Sequence, residues 1–354
     1  MLSIKIKTGI TALFMITAAV LSSQTYAQMA GKNVILVHGL QPAQLMRDTV
    51  TEAEVSSDGQ NYWSDFWGQY ADDRLDWSSK SRLDADTAQR AYDKVIGWAA
   101  SGFCNNGCVL VTHSTGDLVT RYVLDQQEIW TEAAGYAPLN ILAVFDFAGA
   151  GGGSELADVA IDTIGSSNLL SAAVRAALNA WLGFELTTDK LGVLTDLRPA
   201  NARQIATAPN DVPRLRFVGG GSEYLGVTGG FLPGTDDGVV ALHSSCGATS
   251  SAGVESCVNY RALDGEQTSV SAPSALLYNH YPVLMGDDTH HGGTIGTQSG
   301  VTLSYVNSSM DVGVDVAVAT STYTTGWWLW KKTMNTVPGS ENQTMSAVLF
   351  NSVN

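Results

Sequence analysis

The amino-acid sequence predicts an α/β fold, a mostly parallel, doubly wound sheet covered by helices, with a helical cap segment and a small C-terminal β extension. Three observations carry this expectation. Short uninterrupted apolar runs, such as Val34-Ile35-Leu36-Val37 and Val109-Leu110-Val111, suit strands buried on both faces. Longer stretches with helical spacing lie between them, so strand and helix alternate. The apolar runs end in loops that carry serine, histidine or carboxylates, and functional groups on such sheets sit at the carboxyl ends of strands.

The first residues, Met-Leu-Ser-Ile-Lys-Ile-Lys, precede an apolar run from Ile10 to Leu21, and the segment closes on Thr25-Tyr26-Ala27. A positive start, a short apolar middle and a small residue at the cut predict a secretory signal peptide over 1–27. The run is too short to span a bilayer comfortably, so no transmembrane anchor is expected after cleavage. The rest of the 354-residue chain is long enough for one large α/β domain, assigned to 28–300, with 301–354 as a β-rich extension. Removing Lys5 and Lys7 from the 19 basic residues leaves 17 against 34 acidic ones. Such a surface repels phosphate backbones and anionic head groups, which excludes nucleic acid as a partner. The four cysteines fall as two local pairs, Cys104 with Cys108 and Cys246 with Cys257. Export and proximity favour those two disulfides and a secreted or periplasmic protein. The spacings miss the C-x₂-C type expected of a zinc site.

Taken in order, Asn33 to Leu40 is a strand ending in His38-Gly39-Leu40. Tyr62, Trp63, Phe66, Trp67 and Tyr70, followed by Trp77, are expected to pack one face of a surface helix, with a binding cleft as the alternative. Ala85 to Ala100 has helical spacing, and the loop Cys104–Cys108 leads into the next strand. That strand runs into Thr112-His113-Ser114-Thr115-Gly116, and a helix follows through Leu118, Val119, Tyr122 and Val123. Leu139 to Phe147 is a further buried strand that ends in a glycine run, 149–153. No Lys-Ser/Thr follows the run, so it is not a phosphate-binding turn. Residues 156–197 are helical and more apolar than one core-facing stripe requires, as a mobile cap or two covering helices would be. Pro213 to Gly219 and Leu276 to Gly286 are strands, separated by Thr235-Asp236-Asp237-Gly238. The loop Asp287-Asp288-Thr289-His290-His291-Gly292-Gly293 follows the second. Beyond Val301 the pattern alternates as in hairpins, and an aromatic knot, Trp327-Trp328-Leu329-Trp330, interrupts it.

A serine on a sharp strand-to-helix turn is a nucleophile elbow, and the chain order serine, acid, histidine is that of the α/β-hydrolase triad. The chemistry needs all three. A serine hydroxyl is a weak nucleophile until a histidine takes its proton. A carboxylate fixes the imidazole tautomer and stabilises the imidazolium. Two backbone N–H groups, here those of Leu40 and Thr115, must face the oxyanion. The candidate nucleophile is therefore Ser114. The candidate acids are Asp236 and Asp237, and the candidate bases are His290 and His291.

Thr-His-Ser-Thr-Gly-Asp-Leu-Val-Thr-Arg-Tyr resembles the elbow and helix of bacterial lipases and esterases of the α/β-hydrolase superfamily. Val-His-Gly-Leu resembles their oxyanion strand, Gly152 to Asp158 the turn after their next strand, and Asp237-Gly238-Val239-Val240 their acid loop. In that loop the aspartate directly before glycine is the triad member, so the resemblance implies Asp237 as the acid. It favours His291 as the base, because small residues, here Gly292-Gly293, often follow that histidine. The resemblance implies a secreted serine hydrolase of carboxylic esters, a triacylglycerol lipase or carboxylesterase, with a lipid-like ester as partner and no required cofactor. A polyester depolymerase or a phospholipase A would use the same machinery. A non-catalytic protein using its aromatic clusters for binding is the competing class. Thr112 replaces the usual glycine of the elbow, and Asp117 replaces a second glycine often found there. His113 is expected to be structural, and His280 to be packed within its strand. Asp236, Asp237, Asp287 and Asp288 are hard oxygen donors on loops and leave a structural calcium open. A metal set of Asp288, His290 and His291 is disfavoured, since adjacent histidines rarely point at one ion.

Overall fold

Alternating side chains of the first strand divide between two cores. In β1 (Asn33–Val37) Ile35 and Val37 enter one core, and Val34 and Leu36 enter the other. The uninterrupted apolar run is thus the mark of a strand covered on both sides. The computed structural model describes residues 28–164, 171–205, 212–248, 250–252, 280–286 and 288–300. Towards the C-terminus it describes 302–303, 308–311, 315–318, 321–325, 327–328 and 331–353. The expected signal peptide, Asp287, Cys257, Leu329 and Trp330 lie outside the described residues.

Five further strands run parallel to β1. They are β2 (Asp73–Leu75), β3 (Cys108–His113), β4 (Ile141–Phe147), β5 (Arg214–Gly219) and β6 (His280–Gly286), in the spatial order β2-β1-β3-β4-β5-β6. β7 (Thr302–Leu303) joins β6 antiparallel. β8 (Ser308–Asp311) and β9 (Asp315–Val318) form a separate hairpin. β10 (Ser321–Thr325) and β11 (Lys332–Thr336) then extend the main sheet through β7 to nine strands.

The described helices are α1 (Pro42–Met46), α2 (Glu52–Tyr62), α3 (Ala88–Ser101), α4 (Thr115–Ala133) and α5 (Glu155–Asp162). After them come α6 (Ser171–Leu182), α7 (Pro199–Ala202), α8 (Leu242–Ser245) and α9 (Met345–Ser352). No helix among the described residues is long and apolar enough to cross a membrane. A capping box, Thr51 with Glu54, starts α2. α3, α4 and α5 cover the core that holds Ile35 and Val37, through Val95, Leu118 and Ala157. The other core is closed by Trp63, Trp67 and α9. A disulfide between Cys104 and Cys108 pins the turn before β3. Cys246 is also in a disulfide, and its expected partner Cys257 lies outside the described residues.

Two expectations need correction. The boundary at residue 300 is not one: β7, β10 and β11 belong to the main sheet, and α9 was not foreseen. Met345 and Leu349 share a core with Leu36 and Phe145, and the Trp67 indole N–H donates to Ser346 Oγ at 2.9 Å. The aromatic stretch is not one helical face either. α2 ends at Tyr62, and the chain turns so that Trp63, Trp67 and Trp77 are fully buried while Tyr62 faces a cavity. Bulky rings in sequence carry apolar area but no indication of which core receives them. The 156–197 segment covers the sheet with Leu156, Ala157 and Leu182, and also lends Trp181 and Leu197 to that cavity.

Candidate active site

Ser114 stands between the end of β3 and the start of α4 with φ 57° and ψ −128°, a conformation strained for a non-glycine residue. Three backbone bonds hold it there. Ser114 N–H donates to Phe147 O, and its carbonyl accepts from the N–H groups of Asp117 and Ala150. Close approach dictates the neighbouring glycines. A Cβ on Gly116 would lie 2.1 Å from Val37 O, and one on Gly39 would lie 2.6 Å from Ser114 Cβ.

The acid loop and the base loop meet at one hydrogen bond. His291 Nδ1–H donates to Asp237 Oδ2 at 2.8 Å, while Asp237 Oδ1 accepts from the N–H groups of Val239 (3.0 Å) and Val240 (2.7 Å). His291 N–H also donates to Asp237 O at 2.9 Å. Asp237 is fully buried and His291 nearly so. Burial lowers the His291 pKa, but the charge and the hydrogen bond of Asp237 outweigh it and hold the imidazole above its ordinary value. Ser114 and His291 line one cavity of about 280 Å³. No hydrogen bond joins Ser114 Oγ to the imidazole among the described residues.

His290 takes a different place. Its Nδ1 accepts from Gly293 N–H at 3.1 Å and lies 3.6 Å from Glu223 Oε1. Asp236 is turned from both histidines and accepts from Gly238 N–H at 2.8 Å. Among the described residues no group of three or more His, Cys, Asp or Glu side chains converges as a metal site. Leu40 and Thr115 both line the cavity, and neither N–H has a hydrogen-bond partner among the described residues. Two unpaired donors beside a serine are the arrangement an oxyanion requires. The loop carrying Leu40 is held by buried His38. Its Nδ1–H donates to Gly39 O at 2.8 Å, its Nε2 accepts from Trp77 N–H, and its carbonyl accepts from the Trp77 indole. Burial, the largest cause, lowers its pKa and keeps it neutral, as that tautomer requires.

His113 joins the nucleophile's strand to the base loop. Its Nε2 lies 3.1 Å from His291 O, so Nε2 carries the proton and Nδ1 accepts from the Tyr62 hydroxyl at 2.5 Å. Burial first, and the neighbouring His291 second, push His113 well below its ordinary pKa. Sequence singled out Tyr62 only as one aromatic among several. It gave no sign of Glu223 or Asp65, which also line the cavity.

The two odd residues of the elbow belong to one buried network. Thr112 Oγ1–H donates to Asp146 Oδ1 at 2.7 Å. Arg216 donates to Asp146 Oδ2 (2.6 Å) and Asp117 Oδ2 (3.3 Å), and Arg214 donates to Asp117 Oδ1. The glycine run wraps these carboxylates. Gly151 N–H donates to Asp117 at 3.0 Å, and a Cβ on Gly149 would strike Asp146.

No protein-family model matches the chain, and no curated protein matches it. Solved structures that resemble it include lipase BlEst2 of Bacillus licheniformis in mature form, at 17% identity over 62% of this chain and 80% of that chain, TM-score 0.38. Lipase 1 from Pelosinus fermentans is 16% identical over 75% of this chain and 93% of its own, TM-score 0.39. EstA from Clostridium botulinum is 15% identical over 75% and 83%, TM-score 0.40. The parallel order β2-β1-β3-β4-β5-β6, the strained elbow between β3 and α4, and the succession of Ser114, Asp237 and His291 along the chain give this protein the α/β-hydrolase fold.

Proposed function

We propose that this protein is a serine hydrolase of carboxylic esters. The observation that carries the reading is the Asp237–His291 pair, 2.8 Å apart, whose histidine lines the cavity that Ser114 shares with two N–H groups unpartnered among the described residues. Ser114 Oγ attacks the ester carbonyl as His291 Nε2 takes its proton, and the N–H groups of Leu40 and Thr115 stabilise the oxyanion. His291 then gives the proton to the leaving alcohol. Water, activated by the same imidazole, releases the acid from Ser114. Asp237 keeps the proton of His291 on Nδ1 and stabilises the imidazolium without taking that proton.

The cavity favours the carboxylesterase end of the lipase–esterase range. At about 280 Å³ the cavity lies at the lower end of the roughly 300–1,000 Å³ of ordinary ligand pockets, which favours a compact acyl chain over a triacylglycerol. The Cys104–Cys108 disulfide supports a site of action outside the reducing cytoplasm. A serine-directed phosphonate is expected to label Ser114 in wild type and to leave Ser114→Ala unlabelled. Folded wild type that resists labelling would sink the enzyme reading. p-Nitrophenyl esters of increasing chain length test the finer point. Rates that rise towards long chains would return the reading to a lipase.

A further inference from the structure

The cavity lining includes the apolar residues Leu40, Trp181, Leu197, Val239 and Val240. It also includes His291, Gly292 and Gly296, and two carboxylates stand beside that segment. Glu223 Oε2 accepts from Gly292 N–H at 3.1 Å, and Asp65 Oδ2 lies 3.6 Å from where a Cβ on Gly296 would stand. Both acids line the cavity, and among the described residues no Lys or Arg does. Ser114, 5% exposed, lines the same cavity with its hydroxyl unpaired among the described residues.

The proton route decides which part of an ester meets which part of the lining. When the acyl-enzyme forms, the Ser114 Oγ–carbon bond is made and the carbon–alcohol oxygen bond breaks. The proton from Ser114 passes through His291 Nε2 to that leaving oxygen. The alcohol must therefore lie within reach of His291, beside the segment that Glu223 and Asp65 adjoin, which leaves the apolar part of the lining to the acyl chain.

We infer that Glu223 and Asp65 select esters by the charge of the alcohol, accepting cationic and neutral alcohols and rejecting those that carry a phosphate or carboxylate near the ester. This rests on the ester-hydrolase reading. It removes phospholipids, whose phosphate sits on the alcohol side, from the substrate classes that share this machinery. The net charge of −15 acts in the same direction by repelling anionic substrates before they reach the cavity.

The test uses three butyrate esters that share an acyl group. Their alcohols are choline, its neutral isostere 3,3-dimethylbutanol, and 3-hydroxypropanoate. At low ionic strength, wild-type kcat/KM is expected to be about 3- to 10-fold higher for choline than for the neutral isostere, and at least about 10-fold lower for the anionic ester. High salt compresses both ratios. Asp65→Asn and Glu223→Gln each move the ratios towards one, read within each variant so that a general loss of activity cancels. Equal rates on the three esters in wild type, or ratios untouched by both substitutions, overturn the charge selection and leave the hydrolase reading standing. Failure to cleave any of them, together with an unlabelled Ser114, overturns the hydrolase reading itself.

Discussion

At Thr112 a β-branched residue occupies a position where the elbow usually has glycine, and its hydroxyl explains why. It donates to Asp146 Oδ1 in a fully buried setting, so the position is filled by a residue that satisfies a charge. Replacing Thr112 with Val keeps the shape and leaves the carboxylate short of a donor. This is expected to cost about 1–3 kcal/mol in urea unfolding, with Thr112→Ser costing less. At His291 the raised pKa has a kinetic sign. In the proposed mechanism His291 acts as base only when neutral, so kcat/KM is expected to fall as pH drops through the folded pKa, with the midpoint of that acidic limb above the ordinary imidazole value of 6.5. Asp237→Asn is expected to lower kcat by about 10⁴ through the wrong tautomer. Tyr62→Phe removes the donor to His113, whose other nitrogen holds the His291 carbonyl. A loss of about 3- to 10-fold, seen in kcat more than in KM, is expected if that chain of bonds positions the base.

At the level of elements, β5 shows how a correct strand assignment can still mislead about its environment. Arg-Leu-Arg-Phe alternates charged and apolar side chains, as in a strand with one face in water. Yet Arg214 and Arg216 are both fully buried. They lie on the face opposite Leu215 and Phe217, against Asp117 of α4 and Asp146 of β4. Burial, then the charge of Asp117, push Asp146 up to about 7 against the pull of Arg216. Removing one arginine leaves buried carboxylates uncompensated. Arg216→Met is expected to destabilise by about 3–5 kcal/mol in denaturant unfolding, and adding Asp146→Asn to recover part of it. Within the same network lie Asp117 at the start of α4 and the glycine turn after β4, so two departures from the usual elbow and one puzzling glycine run have a single cause. None was legible in sequence, because the partners are far apart along the chain.

At the scale of the whole molecule, the C-terminal segment completes the core. α9 lays Met345 and Leu349 against the sheet, and Phe350 sits 4.3 Å, centroid to centroid, from the ring of Tyr70. Leu349→Ala is expected to cost about 2–5 kcal/mol and to lower the single melting transition of the whole chain. A separable extension would instead leave the main transition unchanged. Both cores are needed to fix the elbow, since β3 contributes Val109 and Val111 to one and Leu110 to the other.

Local pattern by itself determined the strands, the covering helices and the elbow, since period-2 burial, helical spacing and a serine between them act over a few residues. It also offered Ser114, Asp236 or Asp237, and one of two adjacent histidines as candidates, among which the family resemblance favoured Asp237. The tertiary structure alone turned His291 to Asp237 and His290 to Glu223, which separates neighbours that sequence treats alike. It also brought Tyr62 from the end of α2, and Asp65 and Glu223 from loops that carry no pattern, to the cavity. The physical reason is range. Periodicity records which face of an element is buried, whereas a hydrogen bond between residues 54 positions apart depends on where two loops end at the edge of a sheet.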